Sequence, residues 1–396
     1  MRSLAILGST GSVGRQCLDV VEQFRERLSV VALAAGNNVE GLAGQVARFH
    51  PELVSVGSSD KAVALRERIR ALGVSREPEI HWGREGLSAV AAHPKAEIVV
   101  SATVGVVGLE ASFKALVAGK TLALANKEVL VAAGELVTQA ASIADAEILP
   151  VDSEHNAVHQ CLRAGRRKEL RRLILTGSGG PFLRWPRAKL ERATPRQALQ
   201  HPNWRMGNRI TVDSATLMNK GFEVIEASWL FGLRPEQIEV VIHPQSTVHS
   251  MVEFVDGSVL AQMAAPDMRL PLQYVLTYPD RLPSNNHRIS LTELRRLDFQ
   301  APDEKKFPCL KLARQAQAAG GSMPCVLNAA DEVAVSAFLQ RKLRFTQIPE
   351  LIDRVLQSST PVRLNSIDEV MSCDQQARAY AAHVLTTMSR RRRQAR

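Results

Sequence analysis

The segment Pro150-Val151-Asp152-Ser153-Glu154-His155-Asn156 gathers two carboxylates and a hydroxyl into one short stretch. As extended chain it projects Asp152 and Glu154 from one side. Two carboxylates with a neighbouring hydroxyl or carbonyl oxygen make a hard, oxygen-donor site suited to Mg2+ or Mn2+. As a helix start it supplies an N-cap and a first-turn acid for a helix over 156–162, and the residues alone do not choose. A third carboxylate comes from Asn219-Lys220-Gly221-Phe222-Glu223. On a helix, positions 219, 220 and 223 share a face. Lys220 and Asn219 would then hold a phosphate while Glu223 completes a metal site. Glu226 lies on the same face, so spacing does not select between the two acids, and a plain surface Lys–Glu pair is the simpler alternative. Thr176-Gly177-Ser178-Gly179-Gly180 and Asp213-Ser214-Ala215-Thr216 add hydroxyl and N–H groups fit for phosphate oxygens, although each alone is more often a turn.

A second chemistry stands at the N-terminus. A strand-like run leads into Gly8-Ser9-Thr10-Gly11-Ser12-Val13-Gly14 and then a helical pattern. Such glycines permit a tight turn and let backbone N–H groups approach a pyrophosphate at a helix N-terminus. The next strand ends Ala34-Ala35-Gly36-Asn37-Asn38, with no Asp or Glu at its tip; Glu40 is the nearest acid. The lack of a carboxylate there favours a 2′-phosphate over a free ribose hydroxyl, yet no Arg or Lys stands in that stretch. A later strand ends Leu124-Ala125-Asn126-Lys127-Glu128, with Asn126 a candidate helix N-cap. His243 and His249 lack the spacing of a zinc helix and read as strand-end packing. No G-x-S-x-G elbow points to a serine hydrolase.

These residues need elements to hold them. Strands are expected at 3–7, 28–34, 51–56, 79–82, 97–102, 121–124 and 146–151, alternating with helical stretches such as 61–72 and 109–118. That alternation predicts a parallel, doubly wound α/β sheet with a ligand crevice at the strand C-termini. Strands at 172–175, 239–242, 249–254 and 258–263, with Asp256-Gly257 as a hairpin turn, predict a mixed α+β region. The proline-rich stretch 181–209 reads as a lid or linker and 279–308 as a connector. Helical patterns at 309–319, 324–343, 349–357 and 367–388 predict a C-terminal α-helical bundle. The 396 residues, 45% hydrophobic and 23% charged, suffice for several cores and exclude global disorder. No apolar run reaches the roughly 18 residues of a membrane span, and the N-terminal run is too short for a signal peptide. Five scattered cysteines without a CxxC pair argue against disulfides and a thiolate zinc site. The expected compartment is the cytoplasm. Half of the +10 formal charge lies in Arg390 to Arg393 and Arg396, read as a solvated tail because no aromatic residue interleaves it.

Together these motifs closely resemble the 1-deoxy-D-xylulose 5-phosphate reductoisomerase family. The resemblance runs through GSTGSVG at 8–14, LANKE at 124–128, LPVDSEHNA at 149–157, LTGSGGPF at 175–182, HPNWRMG at 201–207, VDSATLMNKG at 212–221, HPQS at 243–246 and LNAADE at 327–332. It implies a homodimer whose subunits carry a Rossmann-like NADPH domain (1–150), a catalytic, metal-binding and dimerising domain (151–290), a connector (291–311) and a helical bundle with the basic tail (312–396). It places NADPH on Thr10, Gly11, Ser12, Val13, Gly36, Asn37, Asn38, Asn126, Glu128 and Gly207. Asn37 stands where members often carry a basic residue. The sugar phosphate substrate would meet Lys127, Ser153, Glu154, Ser178, His201, Ser214, Asn219, Lys220 and Glu223, with the phosphate on Ser178, Ser214, Asn219 and Lys220. Metal ligands would be Asp152, Glu154 and Glu223, for Mg2+ or Mn2+, with Co2+ admitted. Lys127 and Glu154 are the implied proton-handling groups. Trp204 and Met206 are expected in a lid, Trp204 over the substrate chain and Met206 near the nicotinamide. The implied reaction is a metal-assisted rearrangement of the carbon skeleton by retro-aldol cleavage and re-addition, then hydride reduction of a branched aldehyde phosphate.

Two other functions are compatible with parts of the sequence. A homoserine- or semialdehyde-type NADP dehydrogenase shares the architecture, but simple hydride transfer needs no three-carboxylate metal site. A dinucleotide-sensing DNA-binding regulator would use the basic tail. Neither nucleic acid nor a membrane is expected as a partner.

Overall fold

The computed structural model describes residues 1–286 and 288–394. The side chains of the arginine tail, Arg390 to Arg393 and Arg396, lie outside the described part. In chain order the elements are β1 (Arg2–Leu7), α1 (Ser12–Gln23), β2 (Leu28–Ala34), α2 (Val39–Phe49), β3 (Leu53–Val56), α3 (Ser59–Ala71), β4 (Glu79–Trp82), α4 (Gly83–Ala91), β5 (Ile98–Ser101), α5 (Leu109–Val117), β6 (Thr121–Leu124), α6 (Glu128–Ile143), β7 (Ile148–Pro150) and α7 (Ser153–Leu162). They continue with β8 (Leu170–Gly177), α8 (Pro195–Ala198), α9 (Asn208–Thr216), α10 (Met218–Phe231), β9 (Ile238–Ile242), β10 (Val248–Phe254), β11 (Val259–Met263), α11 (Arg269–Thr277), α12 (Leu291–Leu294), α13 (Cys309–Ala319), α14 (Met323–Leu339), α15 (Ile348–Gln357) and α16 (Ile367–Gln394).

The chain divides into two compact units: residues 1–129, 135–156 and 267–287, and residues 130–134, 157–266 and 288–396. The first holds a Rossmann-like sheet in the order β4-β3-β2-β1-β5-β6-β7, all parallel. Residues Leu4 to Leu7 of β1 and all of β5 are buried, as strands covered by helices on both faces must be. The chain steps outward from β1 to β4, then crosses back to β5. This reversal is the topological switch point, and it opens a crevice at the C-terminal ends of β1 and β5.

The first unit also takes in α11, where Leu272, Tyr274, Val275 and Leu276 join the core with Leu4, Ile6 and Leu33. Removing such side chains from water contributes roughly 1.5–3 kcal/mol each. Residues 267–287 therefore pack outside the block 151–290 expected as one domain.

The second unit carries a four-stranded sheet, β11-β10-β8-β9. Strand β10 runs antiparallel to β11 and β8, while β8 and β9 are parallel. The β10–β11 turn forms at Asp256-Gly257, with Gly257 at φ +88 and the Asp256 carboxylate accepting from Ser258 N at 2.9 Å. One continuous core joins this sheet to α10 and α13–α16, through Phe182, Phe222, Leu327, Phe338, Leu351 and Ala381. The helices expected as a separate bundle thus share their core with the sheet. Gly221 makes this possible on α10, since a Cβ there would lie 2.5 Å from the Ala313 side chain. Among the described residues, no helix is long and apolar enough to cross a membrane.

Candidate active site

In the first unit, Gly8 follows β1 at φ +84, and a Cβ on it would sit 2.4 Å from the Ala102 carbonyl oxygen. A Cβ on Gly14 would sit 2.3 Å from the Gly8 carbonyl oxygen. The turn is therefore closed to any side chain at either place. Gly11 caps α1 without a side-chain hydrogen bond, and the first turn holds no acid. The first N–H groups of α1 thus remain for an anion, with the helix dipole behind them. Thr10, Gly11, Ser12 and Val13 line the turn at intermediate or full exposure.

Across the switch point, buried Asn126 stitches two strand ends together. Its Nδ2 donates to Thr103 Oγ1 at 3.0 Å and to the Gly105 carbonyl at 2.9 Å. Its Oδ1 accepts from Glu128 N at 3.1 Å, and Glu128 accepts from Gly105 N at 3.4 Å. The expected cap moves by one residue: Lys127 is the α6 N-cap, and Asn126 serves the helix only through its side chain. At the tip of β2, Asn38 caps α2 by accepting from Gly41 N at 2.9 Å, while Gly36 and Asn37 face solvent. One residue that the sequence did not place here is Lys61 of α3, whose ammonium donates to Asn37 Oδ1.

The acidic segment takes the helix-start form. β7 ends at Pro150, α7 begins at Ser153, and the Asp152 carbonyl accepts from Asn156 N at 2.8 Å. The extended reading fails because this hydrogen bond already closes a helical turn. The Asp152 carboxylate meets buried Lys127 Nζ at 2.7 Å, with His155 Nδ1 at 3.8 Å. Ser153 Oγ donates to Glu154 Oε2 at 2.6 Å. A buried ammonium needs such a counter-charge, since its desolvation alone costs several kcal/mol by general estimates, about as much as a buried carboxylate's.

In the second unit, β8 ends in the Gly177–Gly180 turn. A Cβ on Gly180 would meet the Ser214 carbonyl oxygen at 2.7 Å, so the turn lies directly on α9. Gly177 in turn leaves room for the Lys220 side chain, 3.0 Å from where its Cβ would be. Leu217 joins α9 to α10 at φ +63, a left-handed conformation costly for leucine, and this bend sets Ser214 and Asn219 on either side of it.

His201 shows its tautomer by its partners. Its Nδ1 accepts from Trp204 N at 2.9 Å and from Asn203 N at 3.2 Å, so in the neutral ring the proton sits on Nε2. That N–H donates to Ser178 Oγ at 2.9 Å, which also accepts from Gly180 N at 3.1 Å. With both lone pairs engaged, the Ser178 hydroxyl keeps its own proton to donate. Asn219 Nδ2 donates to Glu223 Oε1 at 2.6 Å, and Lys220 Nζ bridges Glu223 Oε2 and the Thr176 carbonyl. The Lys220 and Glu223 side chains are 4% and 0% exposed, which rules out a solvated surface pair. Glu226 is buried one turn further on.

The remaining expected residues fall as follows. Gly207 is the exposed N-cap of α9. Trp204 and Met206 are half-buried in the stretch before it, which has no regular structure. Asn203 ties that stretch down through Pro244 O at 2.7 Å and Ser246 Oγ at 2.8 Å. His243 packs as expected, stacked on Phe299 at 4.7 Å and bonded to the Asp298 carbonyl at 2.9 Å.

A Rossmann-like sheet with an anion-ready glycine turn at its first strand is the architecture of the dinucleotide-dependent oxidoreductases. The descriptions of three family models agree: 1-deoxy-D-xylulose 5-phosphate reductoisomerase matches residues 4–134, its C-terminal domain 148–231, and the DXP reductoisomerase C-terminal domain 263–380. The chain belongs to the 1-deoxy-D-xylulose 5-phosphate reductoisomerase family. The reductoisomerase of Solibacter usitatus is 51% identical over 386 residues, 96% of each chain. That of Pelotomaculum thermopropionicum is 50% identical over 385 residues, 97% of this chain and 99% of the relative. Among solved structures, the Zymomonas mobilis enzyme in complex with NADPH superposes with a TM-score of 0.91 at 40% identity, covering 97% of this chain and 99% of that one. A reductoisomerase complex with NADPH, fosmidomycin and magnesium gives 0.91 at 39% identity, covering 98% and 99%.

Proposed function

We infer that this chain converts 1-deoxy-D-xylulose 5-phosphate into 2-C-methyl-D-erythritol 4-phosphate, a step of the methylerythritol phosphate route to isoprenoids, with NADPH and a divalent metal ion. The observation that carries the reading is the roughly half-identical match to reductoisomerases along nearly the whole chain. The simple dehydrogenase alternative is not favoured by it.

The residues fit both groups. The glycine turn would be filled by any Cβ, and the carboxylates are hard donors suited to Mg2+, Mn2+ or Co2+. When bound, NADPH supplies hydride and the ion supplies Lewis-acid polarisation of substrate oxygens. Asp152, Glu154 and Glu223 are the ligands in this proposal. Thr10 to Val13, Gly36 to Asn38, Asn126, Glu128 and Gly207 hold the dinucleotide. Ser178, Ser214, Asn219 and Lys220 hold the substrate phosphate: Ser178 donates its hydroxyl proton, Lys220 its charge, and Asn219 an amide N–H. His201 positions Ser178 and also meets the substrate. Lys127, Ser153 and Glu154 work at the carbon skeleton, with Lys127 and Glu154 moving protons. Trp204 covers the chain and Met206 the nicotinamide, so water is excluded while the aldehyde awaits reduction.

The functional form is a homodimer. Its support is β11, an edge strand whose Val259 and Leu260 are 48% and 38% exposed, an edge suited to pairing with a second copy. The site of action is the cytoplasm, in keeping with five free cysteines. Neither nucleic acid nor membrane takes part.

Glu223→Gln tests the ligand assignment. It should cut turnover at least about 100-fold, as loss of a metal-site group does, while NADPH affinity stays near that of the wild type. Full turnover of this variant in excess chelator would refute the assignment.

A further inference from the structure

The adenosine end of a dinucleotide on a doubly wound sheet falls at the C-terminal tip of the second strand, beside the strand whose glycine turn takes the pyrophosphate. Here that tip is Ala35 to Asn38. A carboxylate at such a tip hydrogen-bonds the free ribose hydroxyls of NADH, whereas a cation accommodates the 2′-phosphate of NADPH. The nearest acid, Glu40, lies past the tip in the first turn of α2, where it pairs with Arg68 of α3 at 2.5 Å. No basic residue stands on the tip itself.

A cation arrives instead from the next crossover. The turn between β3 and α3 closes onto the tip, with Gly57 N donating to the Gly36 carbonyl at 2.8 Å. A Cβ on Gly57 would lie 2.8 Å from that same oxygen, so the approach requires glycine. Docked in this way, α3 brings Lys61 Nζ onto Asn37 Oδ1. Above the tip there is room: a Cβ on Gly36 would meet nothing within 4 Å. Lys61 also stands in the first turn of α3, where the helix dipole disfavours a positive charge and where neighbouring Asp60 is the residue a helix prefers. A residue placed against its local preference is a candidate for function rather than stability.

We propose that Lys61 is the residue of this chain that selects NADPH over NADH, its ammonium binding the 2′-phosphate at the β2 tip with Asn37 as its positioning partner. The proposal rests on the dinucleotide site assigned above. It adds the selecting residue, which comes from outside the tip.

Dissociation constants for NADPH and NADH, read by nicotinamide fluorescence on the full chain without turnover, test it. Wild type should bind NADPH more tightly. Lys61→Gln should weaken NADPH about tenfold or more, the size of one lost charge-assisted contact, and leave NADH within about twofold. Lys61→Arg should keep the preference. The thermal midpoint of Lys61→Gln should not fall, since a first-turn cation is removed. An unchanged NADPH-to-NADH ratio in Lys61→Gln overturns the proposal and leaves the dinucleotide site standing. Equal weakening of both dinucleotides, or a fall in thermal midpoint that accounts for the loss, makes Lys61 a tether only. If wild type binds neither dinucleotide, the site itself is refuted and the proposal with it.

Discussion

Ser178 makes hydrogen bonds as an acceptor twice over, from His201 Nε2 and from Gly180 N, and so keeps its own proton to donate. Ser178→Ala should raise the KM for the substrate roughly tenfold, the value of one hydrogen bond to a charged group, with a smaller effect on kcat. An unchanged KM would show that the phosphate sits elsewhere. The difference between Ser178 and Asn219 marks what a sequence discloses about single residues. Asn219, Lys220 and Glu223 share one turn of helix, so their meeting followed from spacing alone. Ser178 and His201 are 23 residues apart, and Lys61 and Asn37 are 24 apart, each pair joined through a turn whose path depends on tertiary packing. A pattern of types gives no warning of those contacts. Likewise Asp152-Ser153-Glu154 fits a strand or a helix start by residue type alone, and the hydrogen bond from Asn156 N to the Asp152 carbonyl makes it a helix start.

Arg209 of α9 reaches α14, meeting Glu332 at 2.7 Å and Asp331 at 3.5 Å. Burial pushes the Asp331 carboxyl up to about 6 from its ordinary 3.8, against the opposing pull of Arg209. A carboxyl raised by folding stabilises in its protonated form. The contribution is fully present below about pH 4 and is lost as pH rises through about 6. Burial also presses Glu332 upward, but Arg378 and Arg209 together hold it below its ordinary 4.5, so its effect belongs to more acid conditions. Asp331→Asn should therefore gain stability relative to wild type between pH 4 and 7, by up to roughly 3 kcal/mol. Denaturant midpoints at several pH values measure this, and a difference that stays constant with pH would contradict it.

The stretch leading into α9 belongs to the same scale. Trp204→Ala should lower turnover far more than thermal stability, and cleavage by protease near residue 204 should fall when a substrate analogue and metal are added. Unfolding of the variant, or cleavage indifferent to ligand, would make Trp204 a core residue. Elements were legible where burial was simple. The strands β2 and β6 match their expected bounds because largely buried runs are continuous and apolar, whereas β4, which also matches, is an edge strand with Glu79 and Trp82 exposed. The helix α11 is not legible in the sequence, since Pro271 lies in its first turn and breaks the helical pattern.

At the scale of the whole chain, the order of elements was readable but the allocation of segments to cores was not. Residues 267–287 return to the first unit because Leu272, Val275 and Leu276 complete its core, a long-range match that local pattern does not encode. The exposed edge of β11 carries its own consequence. Replacing Leu260 with lysine blunts that edge in the way natural edge strands are protected. If the proposed dimer pairs along this edge, the wild type should have dimer mass by light scattering and the variant should shift toward monomer, whereas a monomeric wild type or an unchanged mass in the variant would contradict it. NADPH oxidation followed at its absorbance band with 1-deoxy-D-xylulose 5-phosphate tests the proposed reaction most directly. Oxidation should require both the sugar phosphate and Mg2+ or Mn2+, stop on chelation, and yield one 2-C-methyl-D-erythritol 4-phosphate per NADPH consumed. Undiminished oxidation in chelator, or none with metal and substrate both present, would contradict the account.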